Sequence, residues 1–414
     1  MAGLFTLARE VDDAARPAGF IDVRELIATL TDAELMATAD AYFAGLNAGS
    51  EQCYKPFSNP SDAVYLTRHL GLLLQAADLF SGADVLDFGC ATGWLTLGLA
   101  EMGLNATGVD VSPAAIALAE GLKAQRGLRP GSQAQFHAYD GHRLPYPDAS
   151  FDRVVCFDSF HHVRDQAATL AEMARVLRPG GRIAMLEPGP NHSKTPQSQA
   201  EMSQFKVIEN DISLPDIARI AKGVGLSPPQ VLVQFHKALS LGFDTYQEWS
   251  SGRSLPKRDA DMLVAGLHRH LTDTQCFYLA NGAGSIDSRR PEALGAEMKL
   301  VSARPLDGQP NCYELKLQVR NVGRGTWITR PGVRGHVNIG AQVLAADGSV
   351  HTVDYQRFAV PGPDVLPGSR AEVVAVVHLP PVVLEGGKLR FDMVAEYVAW
   401  FSQRGACNLV EWRP

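Results

Sequence analysis

The stretch Asp84-Val-Leu-Asp-Phe-Gly-Cys-Ala-Thr-Gly93 limits what this chain can fold into more than any other. An apolar run that ends in an acid and two spaced glycines reads as a strand turning sharply into a helix. Such a unit has to be buried among parallel neighbours, which are reached through crossover helices. The chain supplies both: apolar segments at 84–88, 105–110, 134–139, 151–157 and 181–187 alternate with helical patterns at 93–102, 114–126 and 166–177. A helix at 214–224, a strand near 230–235 and a strand at 275–280, the last beyond a helical insertion, continue the pattern. The expected fold class is α/β, a doubly wound sheet of seven strands.

The chain has 414 residues, enough for two or three domains, each with its own core. Its 38 Lys plus Arg against 45 Asp plus Glu leave a net charge of -7, so nucleic acid and anionic lipid are not attracted by overall charge. The six cysteines form no C-x-x-C clip and are read as reduced thiols. No apolar run reaches the length of a membrane span, and the first fifteen residues carry acids where a secretion signal would be basic and then apolar. The expected location is cytoplasmic.

Before the sheet, Thr31 and Glu34 make a capping box ahead of an apolar helical pattern, so the N-terminal part is expected to form a helical layer. The segment Cys53 to Pro60 has two prolines and no periodicity; it reads as a loop and a candidate lid before a helix at 62–79.

Which ligand the Gly-rich turn would hold follows from its acid. In a G-x-G-x-x-G dinucleotide turn the first glycine precedes a pyrophosphate site, but here that position is Asp87, whose carboxylate repels phosphate and favours a cation. S-adenosylmethionine carries a sulfonium and an ammonium and no phosphate. Asp110 ends the next strand about 20 residues after Gly89, the spacing of an acid that accepts ribose hydroxyls. Asp140 closes the third strand, where it could accept from an adenine amino group.

In order and spacing, Asp87 to Gly93, Asp110, Asp140, Phe151-Asp-Arg-Val-Val155 and Val176-Leu-Arg-Pro-Gly-Gly181 resemble the motifs of class I S-adenosylmethionine-dependent methyltransferases over about residues 84–187. Phe88 and Cys90-Ala91 depart from the family's usual residues without disturbing the pattern. The resemblance implies a Rossmann-like domain. The cofactor would be held by Asp87, Gly89, Cys90, Ala91, Gly93, Asp110, Val111, Asp140, Gly141 and Asp158.

Methyl transfer to an alcohol needs a group that takes the acceptor's proton. His161 and His162 follow the strand at 151–157, on the edge where ligands enter such sheets, and His162 is favoured because family members often carry a histidine just before the apolar residue that here is Val163. His192 and Glu187 stand at the same edge as further candidates, while Glu201, Glu209, Asn210 and Asp211 read as a solvated polar set. With no thiolates and no H-E-x-x-H spacing among the histidines, no metal is expected.

Residues 282–298 have a linker's composition, and beyond them closely spaced strands at 299–303, 312–321, 337–344, 349–358, 370–379 and 388–397 alternate with Gly-rich turns. The segments around Asn321 to Trp327, Leu366 to Gly368 and Phe391 to Phe401 resemble the immunoglobulin-like β-sandwich domains appended to bacterial surface-polysaccharide proteins. That resemblance implies a sugar, nucleotide-linked sugar or glycan as methyl acceptor, and a glycan or protein partner for the sandwich. The alternatives are a non-sugar small metabolite as acceptor, or a silent scaffold in glycan assembly. The expected domains are a helical cap at 1–60, the cofactor domain at 61–285 and the sandwich at 296–414.

Overall fold

The structure is a computed structural model that describes residues 19–80, 82–234, 240–282 and 286–414. The chain divides into two compact units, Met1–Leu79 with Asp84–Gly282, and Phe80–Ala83 with Ala283–Pro414.

The first unit is built on a seven-stranded sheet in the order β3-β2-β1-β4-β5-β7-β6. Its strands are β1 (Asp84–Phe88), β2 (Asn105–Asp110), β3 (Gln133–Ala138), β4 (Phe151–Phe157), β5 (Leu177–Pro188), β6 (Gln230–Leu232) and β7 (Thr274–Ala280). The pairs from β3 through β5 are parallel, whereas β7 runs antiparallel to both β5 and β6. Strands buried on both faces read as continuous apolar runs, and β4 is buried along Phe151–Cys156. From β1 the chain moves outward to β2 and β3, then returns to the other side of β1 as β4. The crevice at the carboxyl ends of β1 and β4 is therefore a topological switch point, where such sheets bind ligands.

The helices begin where the local chemistry tells them to. Helix α2 (Asp32–Ala44), which follows the short α1 (Val23–Thr29), has the expected capping box: Glu34 N–H donates to Thr31 Oγ1 at 3.3 Å and Thr31 N–H to Glu34 Oε2 at 2.8 Å. Helix α3 (Pro60–Ala77) is capped by Asn59, has Pro60 in its first turn, and buries Leu66, Leu72, Leu73, Ala76 and Ala77. After α4 (Trp94–Glu101), α5 (Pro113–Arg126) is capped by Ser112 and α6 (Gln166–Val176) by Asp165. Helices α7 (Pro196–Phe205) and α8 (Leu214–Gly223) precede β6, and α9 (Phe243–Ser250) and α10 (Lys257–Asp273) form the expected insertion before β7. The strand expected near 230–235 is described only to Gln234, since Phe235 lies outside the described residues. No described helix is long and apolar enough to cross a membrane.

The second unit consists of a three-stranded antiparallel sheet, β12-β9-β8, and a five-stranded sheet, β11-β10-β13-β14 with β15 also on β13. Their ranges are β8 (Ala296–Pro305), β9 (Cys312–Asn321), β10 (Val337–Leu344), β11 (Val350–Ala359), β12 (Arg370–His378), β13 (Lys388–Ala395), β14 (Ala399–Trp400) and β15 (Val410–Trp412). Alternate residues of both sheets, among them Leu315, Leu317, Val373, Val377, Ile339, Val343, Phe391 and Met393, share one core with Trp327 and Phe401.

The stretch with a linker's composition is packed wherever it is described. Asp287 bridges to Thr326, the buried Ser288 hydroxyl donates to Gly335 O at 2.7 Å, and 296–298 already belong to β8. Composition misled because Arg289 and Arg290 serve packing here, their guanidinium groups lying 5.0 and 4.8 Å from the centre of the Phe80 ring.

Candidate active site

The loop after β1 is shaped by its own packing. Gly89 and Gly93 have positive φ, and a Cβ on Gly89 would fall 2.4 Å from Ser159 Oγ, while one on Gly93 would fall 2.6 Å from the Phe136 ring. The space a Cβ would take beside each is filled by protein, so packing alone requires glycine here. The Cys90 side chain is buried and crowds Gly108. Ala91, with φ 49°, donates its N–H to Asp110 Oδ2 at 3.0 Å, and Ser112 N–H donates to Asp110 Oδ1 at the same distance. Asp110 therefore ties the β1 loop to the start of α5. Burial, with the nearby charge of Asp40, outweighs these N–H bonds and raises its pKa.

Asp87 is buried and accepts from Thr96 Oγ1 at 2.6 Å. Burial pushes its pKa up to about 7 against that bond, so the site favours a cation that would restore the charge.

Beside Val111 lies a pocket of about 390 Å³ lined by Met36, Ala37, Asp40, Val111, Pro113, Ala138, Tyr139 and Asp140. Helix α2 forms one wall, held because Ser112 Oγ (2.7 Å) and Ala114 N–H (2.9 Å) both donate to Asp40 Oδ1. The N-terminal contribution of Met36 and Asp40 was not foreseen. Asp140 is exposed and accepts from the N–H groups of His142 and Arg143, which fixes its turn and lowers its pKa; Gly141 follows with φ 77°. The residues lining this pocket include Asp40 and Asp140 and neither Lys nor Arg, which suits a cationic nucleoside better than a phosphate. Gln52 O, just before the candidate lid segment, and Cys53 O, its first residue, accept from Thr92 Oγ1 (2.9 Å) and Arg126 Nη2 (2.5 Å), which fastens its start over the β1 loop and α5.

Across the crevice, the ends of β4 and β5 gather the histidines. Glu187 is fully buried and accepts from Ser159 N–H, Phe160 N–H, Cys156 Sγ and both His161 N–H and His161 Nδ1, the last at 2.8 Å. Burial alone would lower the pKa of His161, but Glu187, with Asp158 and Glu209, overrides it and pushes the value up to about 9. His162 lies ring to ring with His161, centroids 4.0 Å apart, and donates from Nδ1 to Ile208 O at 2.6 Å. Burial, followed by the charge of His161, lowers the pKa of His162. His192 Nε2 stands 2.6 Å from Glu209 Oε2. Asp158, in the left-handed region with φ 55°, is half exposed and 3.9 Å from His161 Nδ1.

Residues 86–185 match the family described as the methyltransferase domain. The chain carries an S-adenosylmethionine-dependent methyltransferase domain. This methyltransferase domain is 32% identical over 163 residues to the O-methyltransferase cnsE of Penicillium expansum, an alignment covering 39% of this chain and 56% of that protein. It is 37% identical over 116 residues to methyltransferase GfsG of Streptomyces halstedii, covering 28% and 41%. The chain thus spans about half the length of these curated relatives. Among solved structures it is similar to the YcgJ protein of Bacillus subtilis, with 18% identity, a TM-score of 0.38, and coverage of 53% of this chain and 100% of that one.

In the methyltransferase domain the four candidate bases are not equivalent. Both oxygens of Glu187 already accept from donors inside the protein, and its Oε2 holds His161 in place. His161 holds a proton at neutral pH and has no basic nitrogen to offer, since its partner stabilises the charged form. His192 faces Glu209 with Nε2, and Ser198 Oγ lies 3.3 Å from Nε2 and 3.5 Å from Nδ1. His162 remains: a carbonyl accepts only, so Nδ1 carries the hydrogen and the neutral ring presents its lone pair at Nε2. Its side chain is 44% exposed, and Nε2 has no partner among the described residues.

Glu209 was read as part of a solvated face, and the structure corrects that. Its side chain is 2% exposed and lies 2.6 Å from His192, 3.4 Å from His162 Nδ1 and 4.0 Å from His161 Nε2. His161, His162 and Glu209 lie close enough to surround a cation, but the Nδ1 atoms of both rings are already engaged by Glu187 and Ile208 O.

Proposed function

We propose that the chain transfers a methyl group from S-adenosylmethionine to a hydroxyl oxygen of a small polyhydroxylated acceptor, a sugar or nucleotide-linked sugar, with His162 as the base. The observation that carries this reading is the tautomer of His162: Ile208 O fixes the hydrogen on Nδ1 and leaves a basic, accessible Nε2 at the end of β4.

The cofactor supplies an electrophilic methyl carbon on a sulfonium. Asp110 and Asp140 are the candidate acceptors for its hydroxyl and amino hydrogens, Val111 and Gly141 flank the pocket beside α2, and Asp87 supplies the compensating charge. His162 Nε2 takes the acceptor's proton. His161, held charged by Glu187, orients the neighbouring ring. Asp158 and Lys55, which attract one another across the crevice, with Tyr65 beside them, offer polar groups to an acceptor with several hydroxyls.

The same reading takes the second unit as an immunoglobulin-like sandwich, with two sheets around one core, and gives it the role of holding a glycan or a protein of glycan assembly. It places the chain in the cytoplasm, where nucleotide-linked sugars would be its acceptors. The test is release of S-adenosylhomocysteine by the full chain with a fixed panel of hexoses, nucleotide sugars, phenols and primary amines. Turnover with sugars supports the reading. Turnover with amines alone replaces it with N-methylation, and no turnover with any acceptor favours a scaffold.

A further inference from the structure

We propose that Glu209 is the positioning residue that lets His162 act as a base: it compensates the positive charge His162 gains, which would otherwise sit beside the charged ring of His161. The inference rests on the reading of His162 as the base and adds a residue that neither the cofactor motifs nor the β4 loop contains.

The geometry carries it. His162 and His161 have their ring centroids 4.0 Å apart, and Glu187 keeps a proton on His161. Adding a proton to His162 Nε2 therefore makes two like charges in contact. Glu209 is the carboxylate placed to offset this. Its Oε2 lies 2.6 Å from His192 Nε2 and 4.0 Å from His161 Nε2, and its Oε1 lies 3.4 Å from His162 Nδ1, buried and with no hydrogen-bond donor among the described residues. A buried carboxylate oxygen without a donor is costly unless nearby positive charge compensates it.

The backbone holds this placement. Asn210 N–H donates to His161 O at 2.9 Å, Asn210 Nδ2 to Val163 O at 2.8 Å, and Ser193 N–H to Asp211 Oδ1 at 2.8 Å, while Ile208 and Ile212 are buried on either side. The strap 208–212 thus aligns Glu209 with the histidine loop, just as Ile208 O fixes the His162 tautomer. The other titratable groups facing the trio are Glu187 on β5, Asp158 after β4 and Glu201 on α7, within reach of Glu209.

The test is a proton titration of the full chain carrying ¹⁵N-labelled histidine, comparing wild type with Glu209→Gln and Glu209→Asp, alongside turnover with the acceptor panel and cofactor affinity. In Glu209→Gln the midpoint of His162 is expected to fall below that of the wild type, because the nearby carboxylate charge is gone. Turnover is expected to fall tenfold or more, and cofactor affinity to stay within about twofold. Glu209→Asp, which keeps the charge, should restore part of both effects. If Glu209→Gln does not fold, the titration is read from Glu209→Asp and from Glu209→Gln/His192→Gln, which replaces both partners of the 2.6 Å contact together. Wild-type midpoints in a folded variant without the charge, or lowered midpoints with undiminished turnover, overturn the proposal. Undiminished turnover in His162→Ala defeats the reading of His162 as base instead, and so separates the two failures.

Discussion

His161 Nδ1 and Glu187 Oε2 meet at 2.8 Å, with both side chains at most 4% exposed. This pair turns the end of β4 against the end of β5 and keeps a positive charge inside the site. A histidine whose folded pKa is raised to about 9 contributes stability that is fully present below its unfolded value near 6.5 and is lost as pH rises through about 9. The urea midpoint of the wild type should therefore fall across pH 7 to 10 more steeply than that of His161→Gln. Glu187→Gln, which strands the buried histidine, should cost about 3 kcal/mol at pH 7. Parallel pH profiles for wild type and His161→Gln would show that the pair is not charged.

Asp87 gives a second pH prediction of the same sign, since burial raises the pKa of its carboxyl to about 7. Its contribution to stability is greatest below the unfolded carboxylate value of about 3.9 and is lost as pH rises through about 7. Binding of a cationic cofactor favours the charged form, so affinity should rise as pH passes through about 7 and binding at pH 6 should release a proton. Calorimetry in buffers of different ionisation enthalpy reads that proton directly. Thr96→Val removes the 2.6 Å donor and should move the rise to higher pH.

Asp110 is both a candidate ribose acceptor and a tie between loops. Asp110→Ala should weaken S-adenosylmethionine binding by about 1.5–3 kcal/mol, the scale of bonds to charged groups, and should lower the melting temperature because Ala91 and Ser112 lose their acceptor. Wild-type affinity in the folded variant would remove Asp110 from the cofactor site.

Much of this was legible in the sequence because it is local. The alternating runs from Asp84 to Glu187 declare parallel strands, and Thr31 with Glu34 declares a helix start, since both signals come from neighbouring residues. The histidine loop was placed correctly at the end of β4, but the choice within it was not open to sequence: His161 and His162 differ only in what lies under Nδ1, a carboxylate in one case and a carbonyl in the other. Glu209 sits in Ile-Glu-Asn-Asp-Ile, which has no helical or strand period; only the flanking isoleucines, both buried, hinted that the acid between them faces inward. The reason for Gly89 is a contact with Ser159 in the loop after β4, which no spacing within the Gly-rich turn can reveal.

That contact gives a further expectation. Gly89→Ala adds a Cβ within 2.4 Å of Ser159 Oγ at φ 69° and should destabilise the domain by about 1–3 kcal/mol. Ser159→Gly in the same chain removes the clash but not the backbone strain, so about half of the loss should return in urea unfolding. Full wild-type stability in Gly89→Ala would mean the loop is free to shift.

The central claim is that His162 takes the acceptor's proton, and the most direct measurement is the pH profile of S-adenosylhomocysteine release by wild type and His162→Ala with whichever hydroxylated acceptor of the panel turns over. Because the pKa of His162 is lowered, the wild-type rate should rise with pH to a plateau whose midpoint lies below the ordinary histidine value of about 6.5. His162→Ala should lose about 100- to 10,000-fold in rate, and the rise with it, while binding S-adenosylmethionine as wild type does. Full turnover with the same profile in His162→Ala would contradict the account.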